Sequence, residues 1–347
     1  MPVTINGSDG ITNASWTTGT RPSNPVAGQM GYNTETNSTE VYIGNEWISL
    51  GGFAPIQATG GNVSDITVKG RLYRVHEFTN VGSSTFSVSN TGSDGKIEYL
   101  IVAGGGGGGG GCTGGGGGGA GGVILDFDVI DATDYTVVVG GGGDGQDDSN
   151  NPADSGNNSS FGNITAIGGG GGGSRNNSDA RDGGSGGGGA RQFGKAGLAL
   201  QPTSTDGGFG SNGGDSAFRD PPLTSQGDNT SSGGSGGGGA GSRGDHAMNS
   251  RINVDGGEGI VSSITGTSKM YAAGGSSGGE GQNQGIRIPR ASGIGGQGGG
   301  EVETSLNPTS GINGTGSGGG GGSCVNNFSG AAGGDGVVVI RYPLEAE

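Results

Sequence analysis

The sequence is short of most groups that enzymes and nucleic-acid binders rely on. It holds two histidines, two cysteines and two tryptophans in 347 residues. His76 and His246 each stand alone, so both are expected to be structural or exposed. Cys112 and Cys324 lie in glycine-rich tracts, and two thiols with no histidine nearby do not complete a metal site. A disulfide between them would close a long loop, whereas a reducing cytoplasm favours free thiols. Basic residues number 16 against 31 acidic ones, a net charge of −15. Nucleic-acid affinity comes largely from Lys and Arg neutralising phosphates, so no nucleic-acid partner is expected. No apolar run approaches the ~18–20 residues of a membrane span. The opening MPVTINGSDG has neither a basic n-region nor an apolar h-region. Synthesis in a cytoplasm is therefore expected, with release by lysis or within a particle. Amphipathic helical periods of useful length are missing too.

Glycine is abundant instead, at 93 residues, alongside 11 prolines. Without a strict period that composition ordinarily means disorder. Here the glycines cluster, and Val, Ile, Leu, Phe and Tyr recur between clusters in strand-like runs. The fold expected is all-β: a small N-terminal β-meander, then a β-sandwich-like domain with packed polyglycine-II helices.

Residues 1–52 form the expected N-terminal module. GQMGYNTETNSTEVYIGNEWISLGG reads as three short strands carrying Met30 and Tyr32, then Val41 and Ile43, then Trp47 and Ile48. Three such strands bury too little apolar surface to stand alone, which points to an assembly module. Residues 53–70 read as a linker, and 71–347 as the glycine-rich domain. Strands are expected at RLYRVHEFT, TFSVS, KIEYLIVA, VILDFDVI, DYTVVV, FGNITAI and GVVVIRY. In KIEYLIVA, Ile97, Tyr99 and Ile101 face one way and Leu100 and Val102 the other, so both faces are expected to be buried. In VILDFDVI, Val123, Leu125, Phe127 and Val129 are expected inward, with Asp126 and Asp128 outward.

Between strands lie tracts such as Gly104–Gly111, Gly114–Gly119, Gly168–Gly173 and Gly318–Gly322. A polyproline-II helix has about three residues per turn and no internal hydrogen bonds, yet side by side such helices can bond to one another. Collagen needs glycine only where a strand faces the axis; a helix surrounded on all sides needs it everywhere. Ordering glycine costs about 0.5–1 kcal/mol more than ordering alanine. A net hydrogen bond returns about 0.5–1.5 kcal/mol, so the bundle is viable only if almost every backbone N–H and C=O is paired.

EYLIVAGGGGGGGG, FGNITAIGGGGGG and GGDGVVVIRY resemble the glycine-rich domains of bacteriophage tail fibres and tip adhesins. RPSNPVAGQMGYNTETNSTEVYIGNEWISL is similar to a short module frequent in phage tail-fibre and other virion proteins. The resemblance implies a virion protein, made in the host cytoplasm, whose N-terminal module contacts other virion proteins. It further implies a homotrimer whose loops bind a bacterial surface glycan or outer-membrane protein. No long shaft, Gly-X-Y array or chaperone domain accompanies it, so a purely structural decoration of capsid or tail is the second expectation.

No chemistry is expected. GxGxxG matches arise here from composition alone, and no tract ends in the Lys-Ser/Thr of a P-loop. GDGQDDSNN lacks the carboxylate spacing of a calcium loop. Carboxylates are dense enough for a glycosidase pair, but no groove-forming scaffold or aromatic stripe goes with them. No cofactor or metal is expected, and no enzymatic activity. Recognition is expected in loops on the scaffold. The loops richest in aromatic and basic groups hold Phe193 and Lys195, Phe209, Phe218 and Arg219, Met270 and Tyr271, and Arg287 and Arg290. For any single one of these, capping the glycine bundle is the plainer role.

Overall fold

The computed structural model describes residues 5–6, 10–11, 14–36, 38–51, 53–111, 114–147, 151–175, 179–190, 194–216, 233–247, 254–279, 294–302, 304–323 and 329–345; of these, the side chains of 5–6, 10–11 and 300–306 are not described. The chain divides into two compact units, one of Met1–Pro55 with Glu345–Glu347 and one of Ile56–Leu344.

The first unit holds the expected meander, with Ile5–Asn6 and Gly10–Ile11 pairing antiparallel ahead of it. Met30–Asn33, Ser38–Ile43 and Glu46–Ser49 pair antiparallel in that order, and Ser15–Trp16 joins Met30–Asn33 in parallel. Trp16 folds its ring over Gly31, where a Cβ would fall 1.9 Å from Cη2, and packs edge-on against Trp47 at 4.8 Å. Beneath it Glu40 is buried and accepts hydrogen bonds from Trp16 Nε1 at 3.0 Å, Asn33 Nδ2 at 2.8 Å and Arg21 Nη2 at 2.5 Å. That face is filled. On the other, Met30, Ile43 and Ile48 are each about half exposed, at 46%, 51% and 44%.

The second unit is built on two five-stranded antiparallel sheets. The first runs, edge to edge, Ile164–Ala166, Ser159–Phe161, Asp134–Val139, Gly82–Asn90, Gln57–Thr59. The second runs Val123–Val129, Lys96–Val102, Val337–Pro343, Arg71–Phe78, Asn62–Val68. Residues 57–59 and 62–68 are thus strands in the two sheets, so most of the stretch 53–70 expected as a linker belongs to the fold. FGNITAI, expected as one strand, turns back on itself at Gly162, whose φ of +58° suits glycine.

Phe86, Val137 and Phe161 of the first sheet meet Ile97, Tyr99, Ile101 and Ile340 of the second in one sandwich core. The far face of the second sheet carries Leu100, Val102, Val337 and Val339, which pack with Ile264, Tyr271 and Ala272 in another. Lys96–Val102 is therefore buried on both sides, as its sequence implies. Within the sandwich His76 is fully buried; its Nδ1 lies 2.7 Å from the Gly60 carbonyl oxygen and its Nε2 3.0 Å from the Tyr342 hydroxyl. The carbonyl can only accept, so Nδ1 carries the proton and Tyr342 donates to Nε2.

The glycine tracts continue from the ends of these strands. Val102, Val123 and Val337 lie in register, and Ala103, Gly122 and Gly336 leave from them into the bundle. Within Gly104–Gly109 every N–H and C=O is bonded to another segment. Gly104 and Gly107 donate to Asn157 and Asp154, Gly105 and Gly108 to Gly334 and Ala331, Gly106 and Gly109 to Gly119 and Gly116. Their carbonyls accept in the same rhythm, Gly104 and Gly107 from Gly169 and Gly172, Gly105 and Gly108 from Gly143 and Gln146, Gly106 and Gly109 from Gly319 and Gly322. Partners repeat every third residue and move three residues along their own chain. This is the period of a threefold extended helix with six neighbours. A Cβ on any glycine from 104 to 109 would fall 1.9–2.2 Å from a neighbouring carbonyl oxygen, which is why alanine or serine is missing from this run.

Candidate functional site

The bundle presents its loops through carboxylates. Asp179 Oδ1 accepts from Lys195 N at 2.9 Å, Asp182 Oδ1 from Leu198 N at 2.6 Å and Asp215 Oδ1 from Ala196 N at 2.9 Å. Asn212 Oδ1 accepts from Ala199 N at 2.7 Å, and Asp335 Oδ1 from Gly142 N at 3.0 Å. Arg243 crosses between segments, donating to Asp215 Oδ2 and to the Gly213 carbonyl, each at 3.0 Å. His246, expected to be structural or exposed, is exposed and accepts from Asp215 N at 3.1 Å. Amides at the bundle margin have no further tract to bond to, and Asp and Asn side chains take that place. Asp179, Asp182, Asp215 and Asp335 are used in this way, a role that spacing in the sequence does not reveal.

The nine loop positions singled out by composition fare differently. Phe193, Phe218, Arg219, Arg287 and Arg290 lie outside the described residues, as do Cys112 and Cys324. Lys195 is exposed on a segment whose backbone is fixed at both ends, its carbonyl accepting from Ala180 N at 3.0 Å. Phe209 is 44% exposed and its backbone exchanges two hydrogen bonds with Val123, of 3.0 and 2.7 Å. Met270 and Tyr271 belong to a hairpin of Ile260–Ser262 and Lys269–Tyr271. Tyr271 is fully buried against the second sheet; burial first, and then the Glu77 charge, push its hydroxyl up to about 12. It is a core residue. The hairpin itself was missed, because its strands are three residues long and sit among glycines.

Leu125, Phe127 and Val129, expected inward, are 41%, 75% and 63% exposed. They share the face of Val123 and Leu100, but the hairpin that covers that face does not extend over them. The result is an open cleft of about 470 Å³ between this edge strand and Val261–Ile264, with Glu98 and Arg341 at its side. Arg341 Nη2 is ion-paired to Glu98 Oε2, its Nη1 donates to the carbonyls of Ser263 and Ile264 at 3.3 Å, and its guanidinium lies 4.9 Å over the Tyr73 ring.

Among the described residues no group of His, Cys, Asp and Glu is arranged to hold a metal ion, and no helix is long and apolar enough to cross a membrane. Residues 79–343 match the family model described as a glycine-rich domain. No curated protein matches the sequence.

Proposed function

We propose that this chain, which belongs to the glycine-rich domain family over residues 79–343, is a bacteriophage fibre or tip protein that binds the bacterial surface. It acts by binding and performs no reaction. One observation carries this: a backbone-bonded glycine bundle whose margins hold short polar segments in place through Asp and Asn caps. Such a bundle is a rigid platform with irregular, polar segments at its rim, the arrangement recognition surfaces favour. The N-terminal sequence, with its similarity to virion modules, supplies the phage context.

The first unit is the attachment and trimerisation element in this proposal. Its half-exposed Met30, Ile43 and Ile48 form an apolar face. Apolar side chains left exposed in this way suit contact with copies of the chain or with other virion proteins. Recognition then gains from several copies acting together.

The test is binding of the purified, fluorescently labelled chain to a panel of bacterial strains, with native mass from light scattering. A trimer that labels some strains and not others is expected. A chain that labels none is a decoration of the virion, and the receptor-binding role is then lost.

A further inference from the structure

The cleft beside Phe127 combines groups that a scaffold has no need of. Phe127 and Val261, 75% and 58% exposed, flank Leu125 and the buried Ile264 in an apolar platform. Beside it stands Glu98, whose side chain is 46% exposed. Its Oε2 is held by Arg341, and its Oε1 has no hydrogen bond among the described residues. Ser263 is exposed on the same rim.

An exposed edge strand invites another strand, but most of the outward amides of this one are capped. Asp126 Oδ1 accepts from Phe127 N at 2.9 Å and Asp128 Oδ1 from Val129 N at 2.7 Å. Farther along, Phe209 occupies both backbone groups of Val123. The outward amides of Val123, Phe127 and Val129 are thus already bonded. The side-chain cleft stays open.

We propose that this cleft is a subsite for a neutral hexopyranose unit of a surface glycan, a proposal that rests on the cell-surface binding argued above. A pyranose ring has one face of C–H groups, which packs against an aromatic ring and aliphatic side chains, and a periphery of hydroxyl donors. Phe127, Val261 and Leu125 match the first; Glu98 Oε1 and the Ser263 hydroxyl match the second. A few placed polar groups on an apolar wall are the usual composition of a small-ligand site, and 470 Å³ suits one or two sugar units. Arg341 is already paired with Glu98, so no free positive charge awaits a phosphorylated or acidic sugar, which would meet Asp126 as a like charge.

The test sets the full chain and its Phe127→Ala variant on an array of neutral hexose and N-acetylhexosamine oligosaccharides, with sialylated and phosphorylated glycans beside them, and on the bacterial panel. Binding of at least one neutral glycan is expected, about tenfold weaker in the variant, with an unchanged melting temperature because Phe127 is exposed. Binding of no neutral glycan, preference for the acidic ones, or equal binding by Phe127→Ala overturns the assignment. So does conversion of an oligomer to a monomer by Phe127→Ala, which would make the patch a contact between copies. The cell panel separates the two levels. Strains labelled equally by both proteins leave cell binding intact and remove the cleft from it; no strain labelled by the wild type removes cell binding itself.

Discussion

A methyl group on Gly108 would lie 2.0 Å from the carbonyl oxygen of Gly320 in a neighbouring tract. That distance is far inside van der Waals contact, and the oxygen belongs to a backbone bonded on all sides, so neither partner can yield. The same holds around the bundle, for Gly118 against Gly106 and Gly275 against Gly319. Glycine here is fixed by exclusion of every side chain, whatever its cost in chain entropy.

Gly108→Ala should therefore destabilise the second unit by about 3 kcal/mol or more, at or beyond the upper end of core overpacking. Gly141→Ala is the control, since the nearest atom to its added methyl is Val81 Cγ1 at 3.4 Å, an ordinary contact. Calorimetry should show a fall of several degrees for the first and little change for the second. Equal melting temperatures would mean that the tracts are not packed as described.

Tyr271 and Lys195 make a second contrast, because the sequence placed both among recognition loops. Tyr271→Ala removes a fully buried ring and should cost about 3–5 kcal/mol. Lys195→Ala, at an exposed side chain, should stay within about 0.5 kcal/mol of wild type. Denaturant unfolding measures both; a stable Tyr271→Ala would contradict its place in the core.

Acid should act on the first unit through Glu40. The hydrogen bond from Arg21, followed by those from Trp16 and Asn33, holds its carboxyl down at about 2 from an ordinary 4.5, against the opposing effect of burial. A depressed carboxylate stabilises the fold above its unfolded pKa and loses that contribution as pH falls through the folded value. Stability on the order of 3 kcal/mol should drain from the first unit between pH 4.5 and about 2. Trp16 and Trp47 report on it by fluorescence. If Glu40→Gln shows the same acid transition, another group is responsible.

His76 gives a milder dependence in the second unit. Burial, the largest influence, holds its pKa below the ordinary 6.5; the Gly60 carbonyl opposes this and the nearby Arg74 charge adds to it. A neutral buried imidazole must take up a proton on unfolding, so stability should fall as pH drops below 6.5 toward the lowered folded value. Asp65, paired with Arg74 at 2.8 Å, favours the charged form and limits the effect. Melting temperatures at pH 7.5 and 5.5 should differ for the wild type and converge in His76→Gln. A wild type insensitive over that interval would show that His76 is hydrated.

How far the fold is legible in the sequence depends on whether the signal is local. KIEYLIV announces its burial on both faces because apolar residues occupy both parities of the strand, and the structure places Ile101 and Leu100 in separate cores. VILDFDV shows clear alternation, but alternation distinguishes two faces without saying which is covered. Leu125 and Phe127 lie beyond the reach of the 260–271 hairpin and remain open. Tyr271 looked like a loop aromatic because its neighbours are polar and glycine-rich, whereas its environment comes from Val75 and Val339, far away in sequence.

What the sequence by itself determined is that the chain is all-β, that its strands alternate with glycine tracts, and that such tracts are ordered only when their backbone bonds are met by one another. Only the tertiary structure decided which tract meets which. A run of identical residues carries no register, so the partners of Gly104–Gly109 are set by where the flanking strands are anchored. Those anchors are long-range: Val337–Pro343, near the end of the chain, lies between Lys96–Val102 and Arg71–Phe78. Side chains fix the strands locally, the strands fix the ends of the tracts, and backbone hydrogen bonds repeated every third residue do the rest.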